Sequence, residues 1–426
     1  MQKQKILIIG SGGREHAIGW KLAQSKKEPV LYFAPGNGGT IELGVNVPIK
    51  ATDINGLLDF VKREKIDLTL AIPDDPLALG IVDEFRKNNL RIFGPTKVSA
   101  QLESSKAFSK KFMKKYNLPT AQFEVFTDFD EAKKYLNGKD FPIVIKASGL
   151  ALGKGVIIAE TKDEARDALY DILVKKTFGD AGNEVVIEEF LFGPEISTHA
   201  FSDGISYKVF PASQDHKRVG EGDTGLNTGG MGTISPLPFV TKELMEQIEK
   251  EVIAPTLEAM KNEGMPYEGV LYPGLILTNN GPKILEYNAR FGDPETQIYM
   301  RLLDSDLLDI VNACVDKKLS EINIEWKNIS ACNIVLASGG YPESYEKEKI
   351  ISGIKDAEQE PGVTVFNAGT ISKDGKLLTN GGRVLGVSAT GDSLREALNK
   401  AYKAIEKISF DKMYYRKDIG KKTLES

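Results

Sequence analysis

The 426-residue chain is poor in the features that mark several broad protein classes. Its two cysteines, Cys314 and Cys332, form no C-x-x-C pair, so neither a zinc site nor a disulfide framework is predicted. No stretch approaches the roughly 18 apolar residues that a membrane span requires. The opening "MQKQKILIIG" reads as a strand running straight into a glycine turn, which predicts no signal peptide. There is no basic surplus: 55 Lys and Arg stand against 60 Asp and Glu, a net charge of −5, and this argues against a nucleic-acid partner. Internal repeats and low-complexity stretches are missing as well. These absences predict a reduced, cytoplasmic protein with no membrane partner. An acidic chain can still bind phosphates where its cations are local. Composition is ordinary, with 41% apolar and 27% charged residues, enough for substantial cores. At roughly 100–200 residues per domain, the length predicts two to four domains.

Apolar runs alternate with helical patterns over the first hundred residues: "KILIIG", "REHAIGWKLAQS", "PVLYFA", "LLDFVKREK", "DLTLAI", "LALGIVDEFRKNN" and "RIFGP". That alternation predicts βαβ units and a parallel sheet over 1–101. A lysine-rich helix, "SKAFSKKFMKKYN", follows. A small α+β module is then expected over about 120–191, within a central domain spanning 102–328. Strands are expected in 196–210 and 270–288, with a loop over 211–238 and a helix between them. A last domain, 329–426, opens with "SACNIVLASGGYP". The chain thus reads as an α/β and α+β multidomain protein.

Four stretches carry chemistry. "GSGGRE" (10–15) closes a strand and opens a helix, a place where glycines let a phosphate approach free N–H groups. The third glycine of a dinucleotide fingerprint is missing, since Glu15 stands there. The second strand also ends without the acid that would hold a ribose. A phosphate monoester suits the turn better than NAD, and a turn used only for tight packing stays open. "KASGLALGKG" (146–155) is not a Walker A loop, because Lys154 is followed by Gly155. It reads as a flap between antiparallel strands that could close over a triphosphate, or as a plain hairpin. Lys146, ending a buried-looking run, demands a partner. "ASQDHKRVGEGDTGLNTGGMGTISP" (212–236) is 25 residues with six glycines and almost no hydrophobic period, too long for an idle loop in a compact domain. In "KILEYNARFGDPETQ" (283–297), Glu286 and Asn288 share one strand face. Two hard oxygen donors followed by Arg290, Asp293 and Glu295 fit a metal-and-phosphate site. The polar face of a half-exposed strand is the other reading.

Taken in order, "GSGGREHA", "PGNGG", "LESSKAF", "VIKASGLALGKGV", "VVIEEFLFGPEIS", "QDHKRVGEGDTGLNTGGMG", "RFGDPETQ", "GGRVL" and "YRKDIG" resemble the ATP-grasp ligases from end to end. Among these they resemble the phosphoribosylamine–glycine ligases of purine biosynthesis. The resemblance implies an N-terminal parallel-sheet domain preceding the ATP-grasp core, a core with a mobile lid, and a small C-terminal domain. It implies ATP as co-substrate, Mg2+ or Mn2+, glycine and 5-phosphoribosylamine as the other substrates, and a monomer or weak dimer. Lys106 and Lys146, with Gly153 and Lys154 of the flap, are then expected at the ATP phosphates. Glu188, Glu189, Phe190 and Leu191 are expected at the adenine, and Glu195 at the nucleotide ribose. Glu286 and Asn288 resemble metal ligands. Gly12, Gly13, Asn37, Asp74 and Asp293 are expected at the ribosylamine. Arg290, Lys217, Asn227, Thr228 and Gly229 are expected at the transfer site, with Asp215 as acceptor of the amine's proton and His216 as its rival.

Two departures stand out. "IPDDPL" places Asp74 where the resemblance expects Glu, and "GVLYPGLILT" offers no additional metal carboxylate. Another carboxylate–amine ligase of the same superfamily is the nearest rival. An NAD-dependent oxidoreductase accounts for "GSGGRE" but leaves 212–236 and Glu286 with Asn288 unexplained. A nucleotide-binding regulator without catalysis is disfavoured by the intact lysine and metal set.

Overall fold

A computed structural model describes residues 3–149 and 155–425. The strand Lys5–Gly10 is buried at every position after Lys5, as the middle strand of a parallel sheet covered on both faces must be. It lies at the centre of a five-stranded parallel sheet in the order Val45–Asn46, Val30–Pro35, Lys5–Gly10, Leu68–Ala71, Ile92–Phe93. The helix Gly13–Leu22 follows the central strand directly. The helical pattern after residue 76 is broken at Gly80, whose φ of +93° separates Asp74–Leu79 from Ile81–Lys87.

The segment after residue 120 forms a four-stranded antiparallel sheet in the order Phe123–Phe126, Val185–Glu189, Ile143–Ala147, Val156–Ala159. Ile145, Leu169, Ile172 and Ile187 belong to a core of its own, distinct from the cores below it. The larger sheet beneath is built on the long strand Glu268–Thr278. That strand pairs with Glu195–Ser197 and Ala200–Asp203 on one side and with Gly281–Asn288 on the other. The helix Lys106–Lys115 starts where Ser105 caps the Phe108 N–H, and its first N–H groups dock on Ser148: Lys106 N donates to Ser148 O at 2.6 Å and Ala107 N to Ser148 Oγ at 3.0 Å. The base of the 146–155 stretch is thereby tied to Lys106.

The stretch 212–236 departs from the expected loop. It forms the strands Gln214–Asp215 and Gly232–Ser235, which join the C-terminal sheet, and a two-stranded ribbon of Arg218–Gly220 with Thr224–Asn227. Backbone pairing holds it in place of a hydrophobic period, which is why the residues gave no alternation. The C-terminal sheet orders as Gln214–Asp215, Gly232–Ser235, Ser330–Ser338, Arg383–Gly391, Val363–Asn367, with the helix Leu394–Ile405 packed on it. Among the described residues no helix is long and apolar enough to cross a membrane.

Candidate active site

A cleft of about 1230 Å3 opens between the four-stranded sheet, the larger sheet and the C-terminal sheet. That exceeds the roughly 300–1,000 Å3 typical of a pocket for one small ligand. Its ceiling is a buried charge triad. One Glu188 oxygen lies 3.0 Å from Lys110 Nζ and the other 3.0 Å from Lys146 Nζ, with all three side chains at most 7% exposed. Lys146 also donates to Leu285 O at 3.1 Å, and Lys110 to Thr120 Oγ1 at 2.7 Å. Burial pushes Lys110 down to about 8, against the pull of Glu188. Lys146 thus has the partner that its place at the end of a buried run required. Lys106 Nζ donates to Gly149 O at 3.2 Å, and burial lowers its pKa against the attraction of Glu286. Glu188, Glu189, Phe190 and Leu191 run along the same wall, where Phe190 meets Phe192 edge-on at 4.9 Å. Gly153 and Lys154 lie outside the described residues.

Glu286 and Asn288 line the cleft while Ile284 and Tyr287 pack into the core. A bulge makes this possible. Gly274 opposes Glu286 and Leu275 opposes Ile284, so Leu285 is the extra residue and the alternation of faces resets after Ile284. Burial alone would raise the Glu286 carboxyl. Lys217, Lys146, Lys106 and Arg290 together bring it below the ordinary carboxylate range. Lys217 Nζ lies 3.0 Å from Glu195 and 3.9 Å from Glu286; it is shifted upward chiefly by Glu195. Arg290 Nη2 meets Glu103 at 2.9 Å and donates to Asn288 Oδ1 at 3.1 Å. Burial works against the charge of Arg290, but Glu103 and Asp74 hold its pKa up. Among the described residues there is no group of three or more His, Cys, Asp or Glu side chains placed to hold a metal ion. Glu286 and Asn288 remain a pair of hard oxygen donors at the centre of the cations.

The far end of the cleft joins all three sheets. Asp215 has a buried oxygen, Oδ1, with no hydrogen-bond partner among the described residues. Burial and the nearby Glu295 raise its pKa well above the usual value, against Lys217 and Arg383. Glu295, 2% exposed, accepts from Tyr272 Oη and from Ser197 Oγ. Thr228 N and Oγ1 both donate to Lys217 O at 2.8 Å, and Asn227 ends the ribbon beside them. Arg383 Nη1 donates to Gly229 O at 2.5 Å and to Asp293 O at 2.7 Å. Asp293 accepts Gln297 Nε2 at 2.8 Å, and Arg383 and Arg14 bring it below its ordinary range although burial acts the other way.

Several groups near the first glycine turn and His216 are engaged within the protein. The Gly12 N–H is taken by Glu15 Oε2 at 2.6 Å, and Glu15 also accepts Arg14 Nε at 2.7 Å. The backbone φ of +123° at Gly10 makes room for this, since a Cβ there would sit 2.6 Å from the Glu15 carboxyl carbon. Asn37 Nδ2 donates to Ser11 O, Gly12 O and Asn367 O, and its Oδ1 accepts from Gly39 N and Thr40 N. The Asn37 amide and the Gly12 N–H brace the turn in this structure, while Gly13 packs against Gln297, 2.7 Å from where its Cβ would be. Arg14 and Asp74 are the residues of this domain that line the cleft. His216 is held by backbone groups at both ring nitrogens. Its Nδ1–H donates to Gly232 O and its Nε2 accepts from Gly420 N, each at 3.1 Å, and burial lowers it to about 4.

Lys110, Glu103, Arg14, Tyr272 and Arg383 join the site unforeseen. Arg14, Glu103 and Arg383 sit inside quoted motifs, and Lys110 stands one helical turn after Lys106. Those positions were the available signals.

A clasping antiparallel module over a carboxylate-centred cluster of lysines defines an ATP-grasp enzyme. The same fold occurs in biotin carboxylase from Campylobacter jejuni, with a TM-score of 0.71 at 14% identity over 100% of this chain and 96% of that one. Profiles of the phosphoribosylglycinamide synthetase N domain, ATP-grasp (A) domain and C domain match residues 4–103, 104–296 and 331–422. Phosphoribosylamine–glycine ligases of Chlorobaculum tepidum and Haemophilus influenzae are 49% and 51% identical over 424 residues, covering 99% of this chain and 100% and 98% of theirs. The crystal structure of phosphoribosylamine–glycine ligase from Thermotoga maritima aligns with a TM-score of 0.85 at 38% identity, covering 97% of this chain and 99% of that one. The chain therefore belongs to the phosphoribosylglycinamide synthetase family, the phosphoribosylamine–glycine ligases. It is an enzyme, a ligase of purine biosynthesis that acts on small molecules and uses ATP, with the divalent-cation dependence general to ATP-grasp enzymes.

Proposed function

We propose that the cleft joins glycine to 5-phosphoribosylamine, giving glycinamide ribonucleotide, ADP and phosphate, by way of glycyl phosphate. A carboxylate is unreactive toward an amine near neutral pH because its oxygen is a poor leaving group. A glycine carboxylate oxygen attacks the γ-phosphorus, the bond to the β-phosphate oxygen breaks, and ADP leaves. The amine nitrogen then attacks the acyl carbon, and phosphate leaves. Phosphoryl transfer of this kind needs positioning and charge neutralisation.

The observation that carries the reading is the gathering of Lys106, Lys146, Lys217 and Arg290 around the Glu286 carboxylate. Lys106 and Lys146 hold the triphosphate, and Glu188 to Leu191 with Glu195 hold the nucleoside. Glu286 and Asn288 suit Mg2+ or Mn2+, since both offer hard oxygens and Mg2+ retains waters and phosphate oxygens as its remaining ligands. A cation bound there would neutralise charge on the phosphate oxygens. Asp74, Asp293 and Arg14 face the ribosylamine, and the turn of Gly12, Gly13 and Asn37 sets Arg14 in place beside it. Asp215, held high by burial and Glu295, accepts the proton that the amine loses.

Glycyl phosphate hydrolyses in water, so the site must close. The module over about 120–191 has its own core and is the unit proposed to close, between domains bounded at 1–101, 102–328 and 329–426. Every group named lies on one copy of the chain, so a monomer suffices, and we assign the reaction to the cytoplasm. The test is ADP release with glycine and phosphoribosylamine, omitting each in turn. Release should require glycine; ADP formation indifferent to glycine would refute the reading.

A further inference from the structure

We infer that Arg383 is a positioning residue for the ribosylamine half of the site: it locks the 227–230 loop against the Asp293 turn and so fixes where the amine meets the acyl carbon. The inference rests on the reaction proposed above. Arg383 begins the strand Arg383–Gly391 and projects into the cleft with its side chain 23% exposed. Its Nη1 reaches two carbonyls on different segments, Gly229 O at 2.5 Å and Asp293 O at 2.7 Å. Its Nη2 lies 3.4 Å from the Asp293 carboxylate. A Cβ on Gly229 would fall 2.9 Å from the guanidinium carbon, so a glycine is what lets the loop come this close to Arg383.

The same loop residue is held from its other side. Gly229 N donates to Tyr341 Oη at 3.1 Å, and Tyr341 also belongs to the C-terminal part of the chain. Asp293 extends the connection, since its Oδ2 would stand 3.2 Å from a Cβ on Gly12. Contacts therefore run from Tyr341 and Arg383 through Gly229 and Asp293 to the N-terminal turn. Among the described residues, no hydrogen bond or ion pair links Arg383 to Lys106, Lys146, Glu188 or Glu195. One planar fork that spans two carbonyls and a carboxylate is a task for which a lysine ammonium has the wrong shape.

The experiment measures kcat and KM for each substrate, together with melting, in Arg383→Gln, Arg383→Lys and Tyr341→Phe. Both Arg383 variants should raise KM for phosphoribosylamine about tenfold or more, and Tyr341→Phe about threefold, matching the loss of charge-assisted and neutral hydrogen bonds. KM for ATP should stay within about twofold, because uniform binding of the nucleotide is untouched. An amine KM unchanged in a folded Arg383 variant overturns the inference. A parallel rise in KM for ATP, or full rescue by Arg383→Lys, does so equally. If the Arg383 variants fail to fold, Tyr341→Phe decides, and an unchanged amine KM there overturns it. Wild-type enzyme that releases ADP without glycine refutes the proposed reaction instead, whatever the variants do.

Discussion

Replacing Glu188 with Gln should be among the most destabilising isosteric changes available in this molecule. The carboxylate is 3% exposed and lies 3.0 Å from both Lys110 Nζ and Lys146 Nζ. At an effective dielectric near 20, each contact carries about 5 kcal/mol of Coulomb attraction, much of it offset by desolvating the charges. Removing one member leaves two buried ammonium groups without their shared counter-charge, a change that costs about 3–5 kcal/mol. The cost should depend on pH, with a definite sign. Lys110 already titrates at about 8 in the folded protein, where Glu188 is the leading group opposing burial. Without Glu188 its folded pKa falls further, while the unfolded value stays near 10.4. Between those two values the unfolded chain binds more protons, so stability rises with pH. The variant enters that window below pH 8, and the wild type enters it only around 8. The gap in unfolding free energy should therefore be widest near pH 6 and narrow toward about pH 8. Urea unfolding at about pH 6, 7 and 8 measures it. A gap under about 1 kcal/mol, or one constant with pH, would refute the account of a charge triad sustained by its central carboxylate.

Three further outcomes follow from other corners of the site. Glu286→Gln should lower turnover by about two orders of magnitude while melting shifts within about 4 °C; a variant that unfolds yet keeps a normal metal response in its residual turnover marks the residue as structural. Asp74→Glu should be tolerated, with kcat/KM within about threefold, since the cation it faces, Arg290, has a long and adaptable side chain; a large rise in KM for phosphoribosylamine alone counts against its placement. His16 accepts the Asn367 N–H on Nδ1 at 2.7 Å and is lowered by burial to about 4, so it is neutral in the folded protein. The unfolded chain binds its proton from about pH 6.5 downward, and this histidine should cost about 2 kcal/mol of stability by pH 5. In His16→Gln that portion of the acid sensitivity should vanish, and an unchanged stability–pH curve would show that His16 does not carry it.

Much of the architecture was legible because it rests on local apolar patterns. The parallel sheet and the antiparallel module announce themselves in runs such as "KILIIG" and "PIVI", where burial needs nothing but side-chain hydrophobicity. The stretch 212–236 was opaque for the opposite reason. Its strands are glycine-rich and are held by backbone ladders and by distant groups such as Arg416, which bonds Arg218 O, Asp223 and Asp418. Glu286 and Asn288 could be placed on one face from their spacing, but not which face, because the bulge at Leu285 resets the alternation. The partners of the site residues were beyond reach altogether. Glu103 with Arg290, and Arg383 with Asp293, are brought together only by the tertiary fold.

The pairing of cations with acids in the cleft also has a consequence for how a triphosphate is received. Lys217 is shared between Glu195 and Glu286, Arg290 between Glu103 and Asn288, and Lys146 between Glu188 and the Leu285 carbonyl. Each cation is thus already paired and held in direction by folding before a nucleotide arrives. For Lys146, 7% exposed, the penalty of stripping water falls on protein stability, not on binding, and groups held this way need little reorganisation during the proposed transfer. The same arrangement explains why the Glu286 carboxyl lies below its ordinary range although burial acts the other way: Lys217, Lys146, Lys106 and Arg290 all act on it. Hard anionic oxygen at that point, ringed by cations, suits the divalent ion and triphosphate proposed for the cleft.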